Sequence, residues 1–102
     1  MYIPTAYKVT DDDTIWSFIC EHSFGILITS TGVEVQATHL PFLPLRNESQ
    51  NGILRGHIAM ANPQVTDLEA KGEVLAIFSG PHGYISPGWY AAPRARSVPT
   101  WN

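Results

Sequence analysis

The spacing of hydrophobic positions near the N-terminus predicts a helix. Ile15, Phe18 and Ile19 stand at positions i, i+3 and i+4, which lie on one face of an α-helix, and we expect that face to be buried. Thr10 precedes the acidic residues 11–13. A hydroxyl followed by carboxylates is typical of a helix N-terminus, because the hydroxyl accepts from a free N–H group and the carboxylates lie at the positive end of the helix dipole. The sequence therefore predicts a helix capped by Thr10.

The pattern then changes to that of strands. Residues 24–29 are largely apolar, residues 30–32 have the composition of a turn, and residues 33–40 alternate between apolar and polar side chains. Such alternation is typical of a strand with one buried face, so this part of the chain predicts a β-hairpin. Pro41 and Pro44 follow. Because proline cannot donate to a sheet, the chain is expected to leave the sheet or to form an edge there.

Another strand, a short helix and a buried strand are predicted in the second half of the chain. Residues 53–60 alternate and predict the strand. Asn62 and Pro63 indicate the start of the helix, because asparagine caps free N–H groups and proline is tolerated at the first helical position. Gly72 is a typical residue for its end. Residues 74–78 are entirely apolar and predict a fully buried strand.

This order of elements predicts one mainly β (α+β) domain, a small antiparallel β-barrel with a few short helices. The chain has 102 residues, of which 44% are hydrophobic and 15% charged, a balance typical of a globular protein. A chain of this length builds only a modest core, so a shared interface would stabilise it. Its apolar runs are too short to cross a bilayer, and we expect no membrane association.

Charge and cysteine content limit the classes of function. The net charge is −3, and the six lysines and arginines are scattered along the chain. Direct DNA binding is therefore not expected, because it needs a clustered basic surface. Cys20 is the single cysteine and cannot form an internal disulfide, which favours a cytoplasmic location. Since it lies within an apolar helical pattern, we expect a buried, structural thiol.

Two polar segments are candidates for anion binding. Thr38-His39 and Arg55-Gly56-His57 would line one patch if their strands were neighbours. The planar guanidinium of Arg55 suits a phosphate, and Gly56 would allow a flat ligand to approach the backbone. The N-terminus of the helix after Asn62 would add free N–H groups, so a phosphate is the expected anion. The alternative is a set of solvated strand residues followed by an ordinary capped helix.

Aromatic residues concentrate near the C-terminal end, in segments rich in turn residues. They could cover a flat ring system or a partner subunit, or they could form a lid over the domain's own core. The histidines lack the short spacings of metal ligands and have no cysteine partner, so no metal site is expected. The aromatic set comprises His82, Tyr84, Trp89, Tyr90 and Trp101.

Several segments, in order and over nearly the whole chain, resemble the PaiB family of FMN-binding negative transcriptional regulators. Together they are highly specific, although no single segment would be. They are Met1-Tyr2-Ile3-Pro4, Ala37-Thr38-His39-Leu40-Pro41, Leu54-Arg55-Gly56-His57-Ile58-Ala59, Ala61-Asn62-Pro63-Gln64, residues 76–90 and Val98-Pro99-Thr100-Trp101-Asn102.

The resemblance implies a split β-barrel of the pyridoxamine-phosphate-oxidase type. It also implies a homodimer with FMN at the subunit interface, in which two strand segments and the helix start hold the flavin and its phosphate. The aromatic segment and the final Pro-Thr-Trp-Asn would lie near the flavin or the partner subunit. The predicted cofactor-binding residues are Thr38, His39, Arg55, Gly56, His57, Asn62, Gln64 and Trp101.

The function implied is negative regulation of transcription by an indirect route, since the charge of this chain does not suit DNA. The alternatives are an FMN-dependent oxidoreductase or a haem-binding or haem-degrading split barrel, so whether the protein is an enzyme stays open, and no catalytic residue is assigned. Members of the family are longer, and their Pro-Thr-Trp-Asn motif continues into further elements. The resemblance therefore predicts a single domain, residues 1–102, that is incomplete at its C-terminal end and binds FMN weakly or not at all.

Overall fold

The computed structural model describes residues 2–30, 32–91 and 98–101. Short 3₁₀ turns lie at Thr5–Tyr7, Arg46–Glu48 and Pro87–Trp89. Thr31 of the predicted turn and Asn102 of the terminal motif lie outside the described residues. The helices and strands are α1 (Asp12–Glu21), β1 (Phe24–Ser30), β2 (Val35–Pro41), β3 (Leu43–Leu45), β4 (Ile53–Arg55), α2 (Gln64–Glu69), β5 (Leu75–Ile77), β6 (Tyr84–Ile85) and β7 (Thr100–Trp101).

The described strands form three antiparallel sheets. The largest has the order β2-β1-β5, with Ile26 opposite His39 on one side and opposite Ile77 on the other. The β1–β2 hairpin and the mainly β, antiparallel fold class are confirmed. Strands β3 and β4 form a second sheet, and β6 and β7 a third. Among the described residues these sheets do not close into a barrel.

The prediction of one strand over residues 53–60 is wrong, because β4 ends at Arg55. The chain leaves the strand at Gly56, where its backbone passes against the side chain of Leu40; a Cβ there would lie 2.7 Å from Leu40 Cδ1. Strand β4 pairs with β3 and not with β2. The two predicted site segments are therefore not neighbouring strands of one sheet.

Helix α1 begins one residue later than predicted, and its cap is Asp11, not Thr10. The Asp11 carboxylate accepts from the Thr14 N–H at 2.8 Å and from the Thr14 hydroxyl at 2.5 Å. Both hydrogen bonds lower the pKa of Asp11, and the bond from the Thr14 hydroxyl has the larger effect. A carboxylate accepts from both groups at once, which explains why it is preferred here to the preceding hydroxyl.

The predicted burial of α1 is only partly correct. Phe18 is 40% exposed and Ile15 36% exposed, because their face looks into a shallow apolar groove along β5, which Leu75 and Ile77 also line. Cys20 is exposed, so the prediction of a buried thiol is wrong. It lies roughly 200° around the helix from Phe18, on the side turned away from the groove.

The core lies on the inner face of the three-stranded sheet. Leu27, Leu40 and Phe42 are buried there, and half-buried side chains from β4, α2 and β5 pack against them. Residues 74–78 are not fully buried as predicted: Ala76 and Phe78 contact the core, whereas Leu75 on the outer face is 56% exposed. The described residues cover the outer side of β5 less completely than the core covers its inner side, and Leu75 is exposed for this reason.

The chain exposes more surface than a compact protein of its mass. Its accessible area is 8470 Å², against roughly 5,700 Å² expected for a globular monomer of this size. The Cα radius of gyration is 17.8 Å, against roughly 13 Å expected. Neither described helix is long and apolar enough to cross a membrane.

Candidate functional site

Gln64 is a fully buried polar residue at the first position of α2. Asn62, two residues earlier, accepts a hydrogen bond from the Gln64 backbone N–H through Oδ1, at 2.9 Å. The Asn62 side chain therefore binds a free N–H group at the helix start. The helix begins at Gln64, one residue later than predicted, so Pro63 is the residue before the helix and not its first position. The helix ends at Glu69, and the residue with positive φ that follows is Lys71 (φ 55°), not Gly72.

The Gln64 side chain is the centre of a hydrogen-bonded chain that joins α2 to both strands of the hairpin. Asn62 Nδ2 donates to Thr38 Oγ1 at 2.9 Å, and the Thr38 hydroxyl donates to Gln64 Oε1. Gln64 Nε2 lies 3.2 Å from Thr29 Oγ1, and the Thr29 hydroxyl donates to Asp67 Oδ2 at 2.5 Å. We call Asn62, Thr38, Gln64, Thr29 and Asp67 the Gln64 network.

The network satisfies its own polar groups. Gln64 Nε2 also lies 3.2 Å from the carbonyl oxygens of Leu27 and Gln36. The hydroxyls of Thr29 and Thr38 each donate one hydrogen bond and accept one. Among the described residues no buried side-chain nitrogen or oxygen lacks a partner. The network is thus a closed structural unit, as buried polar groups require if they are not to destabilise a protein.

An apolar cavity of about 260 Å³ lies on the inner face of the sheet. Strands β1, β2, β4 and β5, helix α2 and the segment after β4 contribute to it. Gly56 lies in its wall directly against Leu40, so any side chain at this position would have to displace the end of the Leu40 side chain. The lining residues are Leu27, Leu40, Phe42, Leu54, Gly56, His57, Ile58, Leu68, Val74 and Ala76.

The remaining polar residues of the predicted site lie apart from the network. His57 lines the cavity and is exposed. Arg55 is exposed, and its guanidinium pairs with Glu48 at 3.1 Å. His39 is exposed and stacks with Phe24 at a ring-centroid distance of 6.2 Å; since side chains alternate along a strand, it faces the side of β2 opposite to Thr38.

The aromatic residues form a cluster on the third sheet. Trp101 in β7 lies edge-on to Tyr84 at 5.9 Å and to His82 at 5.7 Å, and Tyr84 also contacts Trp89 at 6.0 Å. Trp89 and Trp101 are each 70% exposed. A lid over the domain's own core would be more buried, so this exposure favours the interpretation of a surface that contacts another molecule.

Sequence reasoning missed Thr29 and Asp67, although both belong to the network. Thr29 is only 2% exposed and ends the apolar run of β1. Asp67 lies three residues after Gln64, on the same face of a helix. Two signals in the sequence were available: Thr29 lies inside an apolar run, and Gln64 and Asp67 stand at helical spacing. That Thr29 contacts this pair depends on tertiary structure.

Comparison with known proteins identifies the family. The whole chain, residues 1–102, matches the family described as "Putative FMN-binding domain". The chain belongs to this family. It is 44% identical over 102 residues to "Protease synthase and sporulation protein PAI 2" of Bacillus subtilis, a match that covers all of this chain and 47% of that protein. The resemblance to the PaiB family is thereby confirmed.

Fungal proteins also match. An uncharacterised protein of Emericella nidulans is 31% identical over 130 residues, and one of Aspergillus fumigatus is 30% identical over 135 residues. In both cases all of this chain and 52% of the relative are covered. The chain therefore spans about half the length of the curated relatives that it matches.

The chemical character of the residues that line the cavity suits the ring system of FMN. The apolar walls match the largely apolar, flat ring system of a flavin. Arg55 has the planar donor geometry that binds phosphate, but it is not among the lining residues and alternates in β4 with Leu54, so its guanidinium lies outside the cavity. His57 adds an imidazole at the cavity. In the Gln64 network, in contrast, the hydroxyl hydrogen of Thr38 and the amide of Gln64 are already used within the fold.

Proposed function

We propose that this protein binds FMN, with the flavin ring against the apolar cavity and the phosphate near Arg55. The observation that carries the proposal is the match to the FMN-binding family over all of residues 1–102. The cavity, with Gly56 and His57 in its wall, supports it. When bound, FMN would supply redox chemistry, while the protein supplies placement and the electrostatic surroundings.

A homodimer is the second part of the proposal: a second copy would complete a split β-barrel and enclose the flavin at the interface. The excess of exposed surface supports this, since it is of the size that obligate partners bury. The outer face of the three-stranded sheet is also apolar and exposed, with Phe24 at 64% and Val35 at 73%.

The regulatory part rests on the resemblance to the PaiB family: the protein would act in the cytoplasm as a negative transcriptional regulator by an indirect route. Net charge −3 does not favour contact with DNA. A gel-shift assay tests this part; salt-sensitive, sequence-specific binding by this chain would contradict it.

Titration of FMN into the purified protein, followed by flavin fluorescence, tests the central proposal. Arg55→Ala is expected to weaken binding by about 10- to 100-fold, the loss of one charge-assisted hydrogen bond. Arg46→Ala is the matched control, because Arg46 is also an exposed, ion-paired arginine. Equal affinities for the two variants would refute the role of Arg55. No binding by the wild type would refute FMN binding by this chain and would agree instead with the expectation that residues 1–102 bind FMN weakly or not at all.

Sedimentation with and without FMN tests the dimer. A dimer whose fraction rises with FMN is expected, because a flavin at the interface binds only the assembled form. A monomer at all protein and FMN concentrations would contradict the proposal.

A further inference from the structure

The Gln64 network lies beside the cavity and not in its wall. None of its five residues belongs to the residues that line the cavity. The lining residues are instead their near neighbours: Leu40 follows Thr38 by two positions in β2, and Leu68 follows Gln64 by four positions in α2. Both spacings put the pair on one face of its element. Strand β2 and helix α2 thus contribute residues both to the network and to the cavity wall.

The hydrogen bonds of the network leave little capacity for a ligand. Thr38 has one hydroxyl proton, which it donates to Gln64, and it accepts from Asn62. The Asn62 side-chain oxygen accepts from the Gln64 backbone, and its amide donates one of its two hydrogens to Thr38. A phosphate or flavin oxygen could bind Thr38 or Gln64 only by breaking a buried hydrogen bond, and a buried polar group left unpaired is costly.

We propose that Gln64 is a positioning residue for the cavity, and that Thr38, Asn62 and Gln64 act on a bound flavin without touching it. This inference rests on the proposed FMN binding and changes its ligand set: the residues in contact with the cofactor are on the side of Gly56 and His57. Gln64 acts through α2. By tying the helix to the carbonyl groups of Leu27 in β1 and Gln36 in β2, it holds Leu68 in the cavity wall.

Loss of the Gln64 hydrogen bonds would allow α2 to move, and Leu68 would no longer be held in the cavity wall. Thr38→Val keeps the shape of the side chain and removes the hydroxyl that joins Asn62 to Gln64. Gln64→Met keeps the length and removes all the hydrogen bonds of the amide. Thr66→Val is the matched control, since Thr66 is an exposed residue of the same helix and lies outside the network.

The first measurement needs no cofactor. We expect Thr38→Val to lower the thermal midpoint by on the order of 5–10 °C and to shift the ¹³C-methyl NMR signals of Leu40 and Leu68, whereas Thr66→Val does neither. The midpoint losses of Thr38→Val and Gln64→Met should be non-additive, because both remove the same hydrogen bond. Unchanged Leu68 methyl signals in both variants would overturn the positioning role. If Gln64→Met does not fold, Thr38→Val alone decides.

The second measurement distinguishes positioning from contact. With FMN bound, Thr38→Val is expected to weaken affinity several-fold and to leave the ³¹P chemical shift of the bound phosphate unchanged, whereas Arg55→Lys shifts it. A changed ³¹P shift in Thr38→Val or Asn62→Ala, or weaker binding with an unchanged thermal midpoint, would identify these residues as ligands and refute the inference. If the wild type binds no FMN, the proposed function fails, and the cofactor-free measurement still decides the role of Gln64.

Discussion

Gly52 lies against the side chain of Trp16, and this contact predicts that a side chain at position 52 would lower the free energy of unfolding. Gly52 lies in the loop before β4 with φ at +73°, a backbone conformation that side chains disfavour. A Cβ at this position would overlap the six-membered ring of the Trp16 indole, which packs over the glycine from α1. Gly52→Ala therefore meets two separate penalties, one from the backbone and one from the ring.

Gly32 separates these penalties. It has a similar positive φ of +86°, but a Cβ there would meet nothing within 4 Å. Gly32→Ala should therefore cost only the left-handed strain, about 1–2 kcal/mol. Gly52→Ala should cost that strain plus about 1–3 kcal/mol of overpacking against Trp16. The total, about 2–5 kcal/mol, is a large fraction of the roughly 5–15 kcal/mol by which a protein domain is stable.

Urea unfolding of both variants, followed by far-UV circular dichroism, measures the difference. In a Trp16→Ala background the overlap is removed, and Gly52→Ala should then cost no more than Gly32→Ala. Equal costs for the two glycine variants in the wild-type background would refute the reasoning, because the contact with Trp16 would then contribute nothing.

Three further predictions concern other parts of the chain. Leu40→Ala should lower the free energy of unfolding by about 2–5 kcal/mol, since Leu40 is only 5% exposed and lines the cavity; a loss below 1 kcal/mol in urea unfolding would contradict its place in the core. The pKa of Asp11 is lowered in the fold from its ordinary value of 3.8, so the stability that its cap supplies is present above that pH and is lost as the pH falls through the lower, folded value. Thermal melts at about pH 6 and about pH 3 should show this loss, and Asp11→Asn should reduce the difference between them. Cys20 is exposed and should react stoichiometrically with a thiol reagent in the native protein; reaction only after unfolding would show that it is buried.

Local patterns were sufficient for the parts of the fold that depend on neighbouring residues. Alternation over residues 33–40 predicted the hairpin, because that signal acts within a few positions, but the face of β2 that carries Val35 is exposed (73%) and Leu40 lies on the buried face. Asn62 and Pro63 predicted the start of α2 to within one residue. The start of α1 was predicted to within one residue. The cap differed only because two adjacent polar side chains compete for the same N–H groups, and geometry favours Asp11.

Contacts between distant elements were not accessible in the same way. Hydrophobicity alone predicted a buried strand at residues 74–78, but whether Leu75 is covered depends on what packs against β5. The side of the sheet on which His39 lies, and the pairing of β4 with β3 instead of β2, depend on the register of strands and on the turn through Gly52. For the site, the polar strand segment pointed to Thr38 and the family resemblance pointed to Gln64, but only the hydrogen bonds show that these two residues bind each other.

The connections of the Gln64 network also bear on the order in which the protein folds. Strands β1 and β2 are joined by a short turn, whereas the network joins residues that are 24 to 38 positions apart in the sequence. Local contacts form early in folding, because distant ones must first overcome the entropy of closing a long loop. The hairpin is therefore expected to form before α2 docks on it. Network substitutions such as Thr38→Val should then mainly speed unfolding, so the network governs how long the native state lasts and not how quickly it is reached.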